Sequence, residues 1–290
     1  MEITVNAPAK INLYLNILRK RFDGLHDVEM VMQTVNLFDK ITIKKTTDKN
    51  ITLTSSYNFN ENIKKNTAYI AAEKFFNYIN VPNYGVCIHI QKRIPVGAGL
   101  AGGSSDAAAV LLGLNELFET NLSKNELAVI GAKIGADVPF CIFKGTMLAT
   151  GIGTTLSQLP PIENCYILIV KPVFSVSTKN AYQASDNFAY VANKSTNNIV
   201  AAIKSHNLLD MAKNIYNRFE EVLNFDEVNY IKNLLNSNGA LNSCMTGTGS
   251  AVYGIFNDET KANFCRDILL KNYTEVFLVT PFGEQKKIKT

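Results

Sequence analysis

The sequence has few of the residues that build disulfide frameworks and metal sites. It contains five cysteines, an odd number, and no two of them form a C-x-x-C pair. Its three histidines, His26, His89 and His206, form no cluster with cysteine at metal-ligand spacing. A disulfide-stabilised secreted protein and a structural zinc protein are therefore not expected, and no metal site is predicted. A reducing cytoplasm is the expected compartment.

The sequence also lacks a visible targeting segment, a membrane span and a strong excess of one charge. No basic stretch followed by an apolar run opens it, and its longest apolar runs are about as long as a strand. The 29 basic and 25 acidic residues leave a net charge of +4, which over 290 residues does not require a nucleic acid or a membrane surface. With 47% hydrophobic and 19% charged residues, we expect a globular protein. Its expected partner is a small molecule, and we expect a monomer or a homodimer.

Strict alternation over residues 10–17 predicts a strand with two different faces. One face is apolar and would meet a core. The other carries Lys10, Asn12, Tyr14 and Asn16. Two interpretations of this polar face stay open: a solvated sheet surface, or the lining of a polar cleft. Similar patterns predict the other elements of the first half, with strands in 3–17, 39–45, 50–55 and 84–94 and a helix over 66–79.

Four glycines within residues 97–103 stand between a predicted strand and a predicted helix. The helix shows an apolar stripe at 3.6-residue spacing, formed by Val110, Leu111, Leu114, Leu117 and Phe118. Ser104, Ser105 and Asp106 are candidates for its N-cap. A second helix is predicted from Ser123, whose spacing to Glu126 fits a capping box, to Gly135. Because Pro139 disfavours a helical Val138, we expect Asp137 on a short connector.

The glycine-rich loop has several interpretations. A dinucleotide site fits G-x-G-x-x-G at 97–102, but no strand ending in an acidic residue follows about 20 residues on. A P-loop would need a lysine directly after the last glycine, where Gly103-Ser104 stands. A flexible turn would need fewer glycines. Backbone N–H groups at a helix start bind anions, so the loop predicts a phosphate site.

The second half of the chain differs from the first in its pattern of turn-forming residues and predicted elements. Residues 145–153 are rich in turn formers, and a second loop rich in Gly and Thr spans 244–251. The pattern predicts strands over 165–171, 252–256 and 274–280 and helices near 178–184, 198–205 and 226–237. We predict two domains, 1–153 and 154–290.

Three motifs in order give the chain a resemblance to the galactokinase, homoserine kinase, mevalonate kinase and phosphomevalonate kinase (GHMP) superfamily. They are Ala7-Pro8-Ala9-Lys10-Ile11-Asn12-Leu13, the loop 95–106, and Thr246-Gly247-Thr248-Gly249-Ser250-Ala251. Within the superfamily the chain most resembles the kinases of 4-diphosphocytidyl-2-C-methyl-D-erythritol in the non-mevalonate isoprenoid pathway. This narrower resemblance rests on Lys10 to Leu15, Asp23-Gly24-Leu25-His26 and Gly135-Ala136-Asp137-Val138-Pro139-Phe140.

The resemblance implies a mixed α/β, two-domain GHMP kinase fold. An N-terminal α/β domain would bind ATP, as Mg-ATP, and a C-terminal α+β domain would be ferredoxin-like, with the active site in the cleft between them. It implies that Asp137 takes the proton of the substrate hydroxyl and that Lys10 stabilises charge. From the residues alone, Asp137 could equally be a solvated turn aspartate.

The resemblance also assigns binding residues. The ATP set is Pro95, Val96, Gly97, Ala98, Gly99, Leu100, Ala101, Gly102, Gly103, Ser104 and Ser105. The substrate set is Asn12, Leu25, His26, Thr178, Tyr182, Gly247 and Thr248. In that set His26 would meet the cytosine edge, and Tyr182 would stack on the base. Family members usually carry tyrosine where Leu25 stands, so the cover of the base differs here. Otherwise His26 would be an exposed turn histidine and Tyr182 a core residue.

Two other functions remain open at this point. One is another GHMP kinase, acting on mevalonate, homoserine or a sugar, although such a kinase is not expected to carry both narrower motifs. The other is an RNA-binding α/β protein without enzymatic activity. Aromatic residues are not interleaved with a basic stripe, which is what single-strand binding would use.

Overall fold

The computed structural model of the chain describes residues 1–59, 62–80, 85–188 and 195–283. The chain forms two compact units, and each is assembled from separate segments. Unit 1 consists of Met1–Ala9, Leu37–Val96 and Ala101–Phe143. Unit 2 consists of Lys10–Asn36, Gly97–Leu100 and Lys144–Thr290. The predicted domain boundary between residues 153 and 154 stays a prediction.

Strands and helices follow in mixed order along the chain. The strands are β1 (Glu2–Lys20), β2 (His26–Thr46), β3 (Ile51–Ser55), β4 (Gly85–Gln91), β5 (Thr146–Thr150), β6 (Thr155–Gln158), β7 (Tyr166–Lys171), β8 (Tyr216–Asn217), β9 (Asn242–Met245), β10 (Val252–Phe256) and β11 (Glu275–Val279). The α-helices are α1 (Thr67–Tyr78), α2 (Gly102–Leu117), α3 (Lys124–Ala132), α4 (Val138–Phe143), α5 (Thr178–Ser185), α6 (Asn197–Lys204), α7 (Leu208–Lys213), α8 (Arg218–Leu223), α9 (Asp226–Ser237) and α10 (Glu259–Leu269). A 3₁₀ turn spans Ile63–Lys65.

Unit 1 packs helices on a small sheet. The second half of β2 pairs antiparallel with β4, and β3 pairs parallel with β4. Ile41 and Ile43 of β2 and Ile88 of β4 are fully buried, as alternation predicts for a sheet with one face on a core. α1 packs on α2, and α4 packs on α2 and α3. Together these contacts pack α1, α3 and α4 around α2.

Unit 2 contains a separate four-stranded sheet in the order β11-β7-β10-β9. All of its neighbouring strands are antiparallel. Helices connect β7 to β9 and β10 to β11, which gives the split βαβ arrangement of ferredoxin-like folds. Elsewhere in unit 2, β1 pairs parallel with β8, and the first half of β2 pairs with β5. The mixed α/β class and the ferredoxin-like element predicted from the sequence are confirmed.

Most predicted elements match the structure, with two corrections. The strand predicted over 84–94 is β4, and its first predicted residue lies outside the described residues. The capping box is present, since Ser123 N–H donates to Glu126 Oε2 at 2.8 Å and Glu126 N–H donates to Ser123 Oγ at 3.3 Å.

The first correction concerns the start of α2. Ser104, Ser105 and Asp106 lie inside the helix, because it begins at Gly102 after Ala101, which has a left-handed φ of 56°. The N-cap prediction was therefore wrong.

The second correction concerns Pro139. The short helix α4 begins at Val138, so Val138 is helical. Proline is tolerated in the first turn of a helix, where its missing N–H would have had no intrahelical partner. Asp137 is thus the residue immediately before a helix. None of the helices in the described part of the chain is long and apolar enough to cross a membrane.

Candidate active site

The polar face of β1 is buried. Lys10 and Asn12 have relative exposures of 4% and 0%, and Asn16 is equally inaccessible. The interpretation as a solvated sheet surface is therefore wrong. Burying an ammonium group is unfavourable unless it is hydrogen-bonded, and the Lys10 Nζ donates to Asn12 Oδ1 at 2.5 Å. Buried polar side chains held this way are expected where a strand carries function.

Asn12 joins the first sequence motif to the third. Its Oδ1 also accepts from Gly247 N–H at 3.1 Å, and its own N–H donates to Thr246 Oγ1 at 3.0 Å. Its carbonyl oxygen accepts from the Tyr253 hydroxyl at 2.9 Å. The buried amide therefore sets the position of Lys10 and of the loop 246–251 at once.

The two glycine-containing loops approach each other closely within unit 2. Gly99 and Gly247 have φ values of 76° and 56°. A Cβ on Gly99 would lie 2.2 Å from the Thr246 carbonyl oxygen, and one on Gly247 would lie 2.8 Å from the Gly99 carbonyl oxygen. Only glycine fits both the dihedral angles and the spacing. These two glycines therefore pack the loops together.

The remaining part of the glycine-rich segment is the first turn of α2, in unit 1. The Ser105 hydroxyl donates to Pro8 O at 2.6 Å, and the Thr67 hydroxyl donates to Gly103 O at 2.7 Å. Ala101 at the N-cap has no side-chain acceptor, so the first N–H groups of this 16-residue helix lack a side-chain cap. Such a helix start attracts an anion through its N–H groups and its dipole.

The eleven residues predicted to hold ATP differ in accessibility. Pro95, Ala98, Leu100 and Ser105 are buried. The others are half-buried or exposed: Val96, Gly97, Gly99, Ala101, Gly102, Gly103 and Ser104. The segment predicted to bind ATP therefore combines accessible and buried residues, and its role stays a prediction.

A buried charge cluster lies directly beneath this helix start. The Lys92 Nζ donates to Asp39 Oδ2 at 2.5 Å and to Asp106 Oδ2 at 2.9 Å. A Cβ on Gly102 would lie 3.2 Å from the same Nζ. Asp39 Oδ1 accepts two further bonds from the N–H groups of Arg93 and Ile94, at 2.5 and 2.8 Å. The cluster therefore connects residues 92–94, just before the glycine-rich loop, to the helix α2 that follows the loop.

The cluster has two carboxyl groups for one ammonium group. Burial and, to a smaller extent, nearby Asp39 together raise the pKa of Asp106 to about 7, against the attraction of Lys92. Burial lowers the pKa of Lys92, but the two carboxylates outweigh this, and the net pKa is raised. Lys92 and Asp39 had no part in the sequence-based site. They are recognised as part of the site only because the structure brings them into one cluster with Asp106.

Unit 1 also contains a pocket of about 380 Å³ that the sequence did not indicate. It is lined by Leu53, Ser55, Ser56, Tyr57, Asn58, Phe59, Asn62, Ile63 and Asn66. The rings of Tyr57 and Phe59 lie 5.0 Å apart, and asparagine side chains supply polar groups. The pocket adjoins the helix start, because Asn66 precedes Thr67, whose hydroxyl bonds Gly103.

Asp137 lies in unit 1 and is half-buried. Its carbonyl oxygen accepts from Cys141 N–H at 3.1 Å, and Val138 N–H donates to Gly135 O at 3.1 Å. The backbone around Asp137 is therefore held on both sides. Lys10 belongs to unit 2, so the structure describes the two predicted catalytic residues in separate bodies.

A second cluster in unit 2 surrounds His26. His26 is only 8% exposed, so the interpretation as an exposed turn histidine is wrong. The centroid of its ring lies 4.9 Å from that of Tyr182, which contacts Phe219 edge-on at 5.0 Å. Leu25, beside it, is half exposed.

Two of the predicted substrate residues, Thr178 and Thr248, lie close to each other. The Thr178 and Thr248 hydroxyl oxygens are 3.4 Å apart, and Thr178 begins the helix α5 that carries Tyr182. Asn12 and Gly247 are joined by the hydrogen bond that the Gly247 N–H donates to Asn12 Oδ1. All seven predicted substrate residues thus belong to unit 2, and their roles stay predictions.

Two family models match the chain. The one described as GHMP kinases N terminal domain matches residues 66–145, and the one described as GHMP kinases C terminal matches residues 199–275. Together they cover more than half of the 290 residues and include the glycine-rich helix start, Asp137 and the loop 246–251.

Similarity to individual proteins extends over nearly the whole chain. It is 43% identical over 285 residues to the 4-diphosphocytidyl-2-C-methyl-D-erythritol kinase of Lachnoclostridium phytofermentans, covering 98% of this chain and 95% of that protein. It is 44% identical over 281 residues to the protein of the same name from Caldicellulosiruptor saccharolyticus, covering 95% and 96%.

Solved structures show the same fold. A crystal structure of 4-(cytidine 5'-diphospho)-2C-methyl-D-erythritol kinase matches with a TM-score of 0.81 and 27% identity, covering 98% of this chain and all of that one. Homoserine kinase from Cytophaga hutchinsonii matches with a TM-score of 0.79 at 18% identity, which shows the fold alone. The fold predicted from three motifs is therefore confirmed, and the chain belongs to the GHMP kinase family.

Proposed function

We propose that this protein transfers the γ-phosphoryl group of ATP to the 2-hydroxyl of 4-diphosphocytidyl-2-C-methyl-D-erythritol in the non-mevalonate isoprenoid pathway. The observation that carries the proposal is the 43% identity, across 98% of the chain, to a kinase named for that substrate. The kinases of homoserine and mevalonate share the fold at only 18% identity, which does not favour their substrates.

The ATP phosphates bind at the start of α2. The uncapped N–H groups of Gly102 to Ser104 point out of the helix end, and the helix dipole adds positive potential there. Glycines at 102 and 103 let a phosphate approach the backbone. Neutralising charge on the transferred group is the main task of a phosphoryl-transfer site, so this helix start has the chemistry required.

The adenine ring binds in the pocket around Tyr57 and Phe59. Its volume of about 380 Å³ is of the size that small ligands occupy. Aromatic faces stack on purines, and asparagine amides can both donate to and accept from the base edge. The bond from Thr67 to Gly103 supports this assignment, because the pocket then adjoins the proposed phosphate site in the order of the groups in ATP.

Asp137 accepts the proton of the substrate hydroxyl, and Lys10 stabilises the negative charge on the reacting oxygens. A base must be held rigidly, and the backbone around Asp137 is hydrogen-bonded on both sides. Lys10 is buried, and Asn12 orients its ammonium group. A preoriented cation in a dry site stabilises developing charge without reorganisation.

The cytidine end of the substrate binds at His26 and Tyr182, with Leu25 as apolar cover. Asn12, Thr178, Gly247 and Thr248 line the rest of the substrate path. Leu25 has an aliphatic side chain where family members usually carry a tyrosine ring, so Tyr182 supplies most of the stacking energy.

ATP binds to the enzyme as Mg-ATP. The enzyme acts in the cytoplasm as a monomer or a homodimer. Among the described residues, no group of three or more His, Cys, Asp and Glu could hold a metal ion. Magnesium would reach the site bound to the phosphates of ATP, as is common for this ion.

A coupled ADP-release assay with purified protein tests the proposal. The acceptors are the cytidine-diphosphate methylerythritol substrate, mevalonate, homoserine and galactose, each with ATP and magnesium. We expect turnover with the first acceptor only, and phosphorus NMR of the product should show a new phosphomonoester. Turnover with another acceptor in preference to the first would refute the proposal.

A further inference from the structure

We propose that Asp186 is a positioning residue that makes His26 specific for cytosine by fixing which ring nitrogen carries the proton. This inference rests on the proposed function, because it concerns the base of the proposed substrate. The contact that carries it is His26 Nε2 to Asp186 Oδ1, at 2.8 Å, between residues 160 positions apart.

Asp186 is held as an ionised acceptor. Its other oxygen, Oδ2, accepts from the Lys20 Nζ at 2.5 Å. The bonds from Lys20 and His26 keep the pKa of Asp186 below its usual value. An ionised carboxylate has no proton to donate, so the His26 Nε2 must donate to it. In the neutral ring Nδ1 then carries a lone pair and acts as an acceptor.

An acceptor at Nδ1 distinguishes the two pyrimidines. Cytosine presents an exocyclic amino group, a donor, where uracil presents a carbonyl oxygen, an acceptor. An unprotonated Nδ1 can accept a hydrogen bond from the amino group of cytosine. Opposite uracil, Nδ1 and the carbonyl oxygen are both acceptors, so no hydrogen bond forms between them. A site built around one hydrogen bond rejects the ligand that cannot make it.

The stability of α5 does not explain Asp186. It occupies the C-cap of this helix, where the dipole disfavours a negative charge. Its side chain instead connects the helix end to both sides of the β1–β2 hairpin, at Lys20 and His26. His26 is otherwise packed against Tyr182, so ring orientation and proton position are both determined.

Asp186→Asn gives a sharp test, because Lys20 dictates how the new amide points. The amide oxygen stays on the Lys20 ammonium, and the NH₂ group then faces His26 Nε2. That nitrogen must become the acceptor, so the proton moves to Nδ1. Nitrogen-15 NMR of the imidazole rings reads this directly, since the chain has only three histidines. We expect the Nε2–H form in the wild type and the Nδ1–H form in Asp186→Asn.

Kinetics supply the second readout. The ratio of kcat/KM for the cytidine substrate to that for its uridine analogue should fall by roughly tenfold or more in Asp186→Asn. The loss should lie in KM for the cytidine substrate, with kcat and the KM for ATP nearly unchanged. Asp186→Glu, which keeps the charge, should retain part of the wild-type ratio.

Two controls separate positioning from structure. Lys20→Met breaks the ion pair but leaves the His26 contact, and Asp27→Asn removes a neighbouring carboxylate that bonds Arg19 and Arg21. Both should keep the Nε2–H form and the cytidine preference. An Nδ1–H ring in the wild type, or an unchanged ring and ratio in Asp186→Asn, overturns the inference. Absence of wild-type turnover with either nucleotide overturns the proposed function instead, while the NMR result still decides the proton position.

Discussion

At the residue scale, Asp137 and Lys10 differ in how the fold holds them. Lys10 is buried and bonded to Asn12, so its ammonium group has a defined position. Asp137 is half-buried, and its backbone is fixed by the turn before α4 and by the first bond of that helix. A base has to reach substrate, whereas a charge-stabilising cation benefits from exclusion of water. The half-buried position of Asp137 therefore suits its proposed role as a base, and the buried position of Lys10 suits its proposed role as a charge-stabilising cation.

Asp137→Asn keeps the shape of the side chain but removes its ability to accept a proton. We expect kcat to fall by roughly 10²–10⁴, with both KM values changed little, in the ADP-release assay. Asp267→Asn is the matched control, because Asp267 is exposed and bonds only the neighbouring Arg266 among the contacts described. Turnover within a factor of about three of the wild type in Asp137→Asn would mean that another group accepts the proton.

Residues named from the sequence were those inside recognisable motifs. His26 and Tyr182 were named without Asp186, and the glycine loop was named without Lys92 and Asp39. The missed partners lie far along the chain: Asp186 is 160 positions from His26, and Asp39 is 53 positions from Lys92. Such pairs leave no local spacing to detect. Asp106 was visible but was assigned to a helix cap, because burial cannot be seen from local sequence.

At the scale of elements, alternation and helical spacing predicted β1, the second half of β2 and most helices, whereas the first half of β2 and several short elements were missed. β6, β8 and β9 have two to four residues each, too few for a periodic pattern. α4 was missed because proline was weighed as a helix breaker, although its place in the first turn permits it. The helix α10, Glu259–Leu269, was also not predicted from its pattern.

The close approach of the two loops predicts a large effect of one methyl group. Gly99→Ala forces a Cβ to 2.2 Å from the Thr246 carbonyl oxygen, in addition to strain at positive φ. Gly145→Ala is the matched control, since its φ is +83° and nothing lies within 4 Å of the new Cβ. We expect Gly145→Ala to lower the free energy of unfolding by about 1–2 kcal/mol.

Gly99→Ala should lower the free energy of unfolding by at least about 2 kcal/mol more than its control, because the backbone of two loops must separate. Urea unfolding followed by circular dichroism measures both values. Equal losses in the two variants would show that the loops part without strain and that only the φ angle matters at Gly99.

The pocket in unit 1 predicts a separate effect on nucleotide binding. Tyr57→Ala should raise the KM for ATP by roughly tenfold, the order expected for one lost stacking face. The KM for the alcohol substrate should stay near its wild-type value. Tyr78→Ala is the control, because Tyr78 is a similarly exposed ring at the end of α1 and does not line the pocket. If Tyr57→Ala alters only the alcohol KM, the adenine ring binds elsewhere.

At the scale of the whole molecule, the buried charge cluster links global stability to pH. The pKa of Asp106 is raised to about 7 by burial, above the value near 4 of an exposed carboxyl. Between these two values the folded protein binds more protons than the unfolded chain. The contribution of Asp106 to stability is therefore fully present below about pH 4 and is lost as pH rises through about 7.

We predict that this loss is visible in the free energy of unfolding, measured with urea from pH 5 to pH 8. One proton gives a slope of up to about −1.4 kcal/mol per pH unit. Asp106→Asn, neutral at every pH, should remove that component, so its curve should diverge above the wild-type curve as pH rises. Parallel curves for the two proteins would show that Asp106 is ionised throughout in the folded state.

The interleaving of the two units along the chain has a consequence for the order in which the protein is made. Every segment of unit 1 lies before residue 144, but the strand segment 10–36 belongs to unit 2. Its partners at Tyr216–Asn217 and Tyr253 come much later. At the usual rates of synthesis, residue 36 precedes residue 217 by roughly 10 to 40 s. During that time the strand Ile11 to Ile17, apolar on one face and polar on the other, exists without β8, because β8 has not yet been translated.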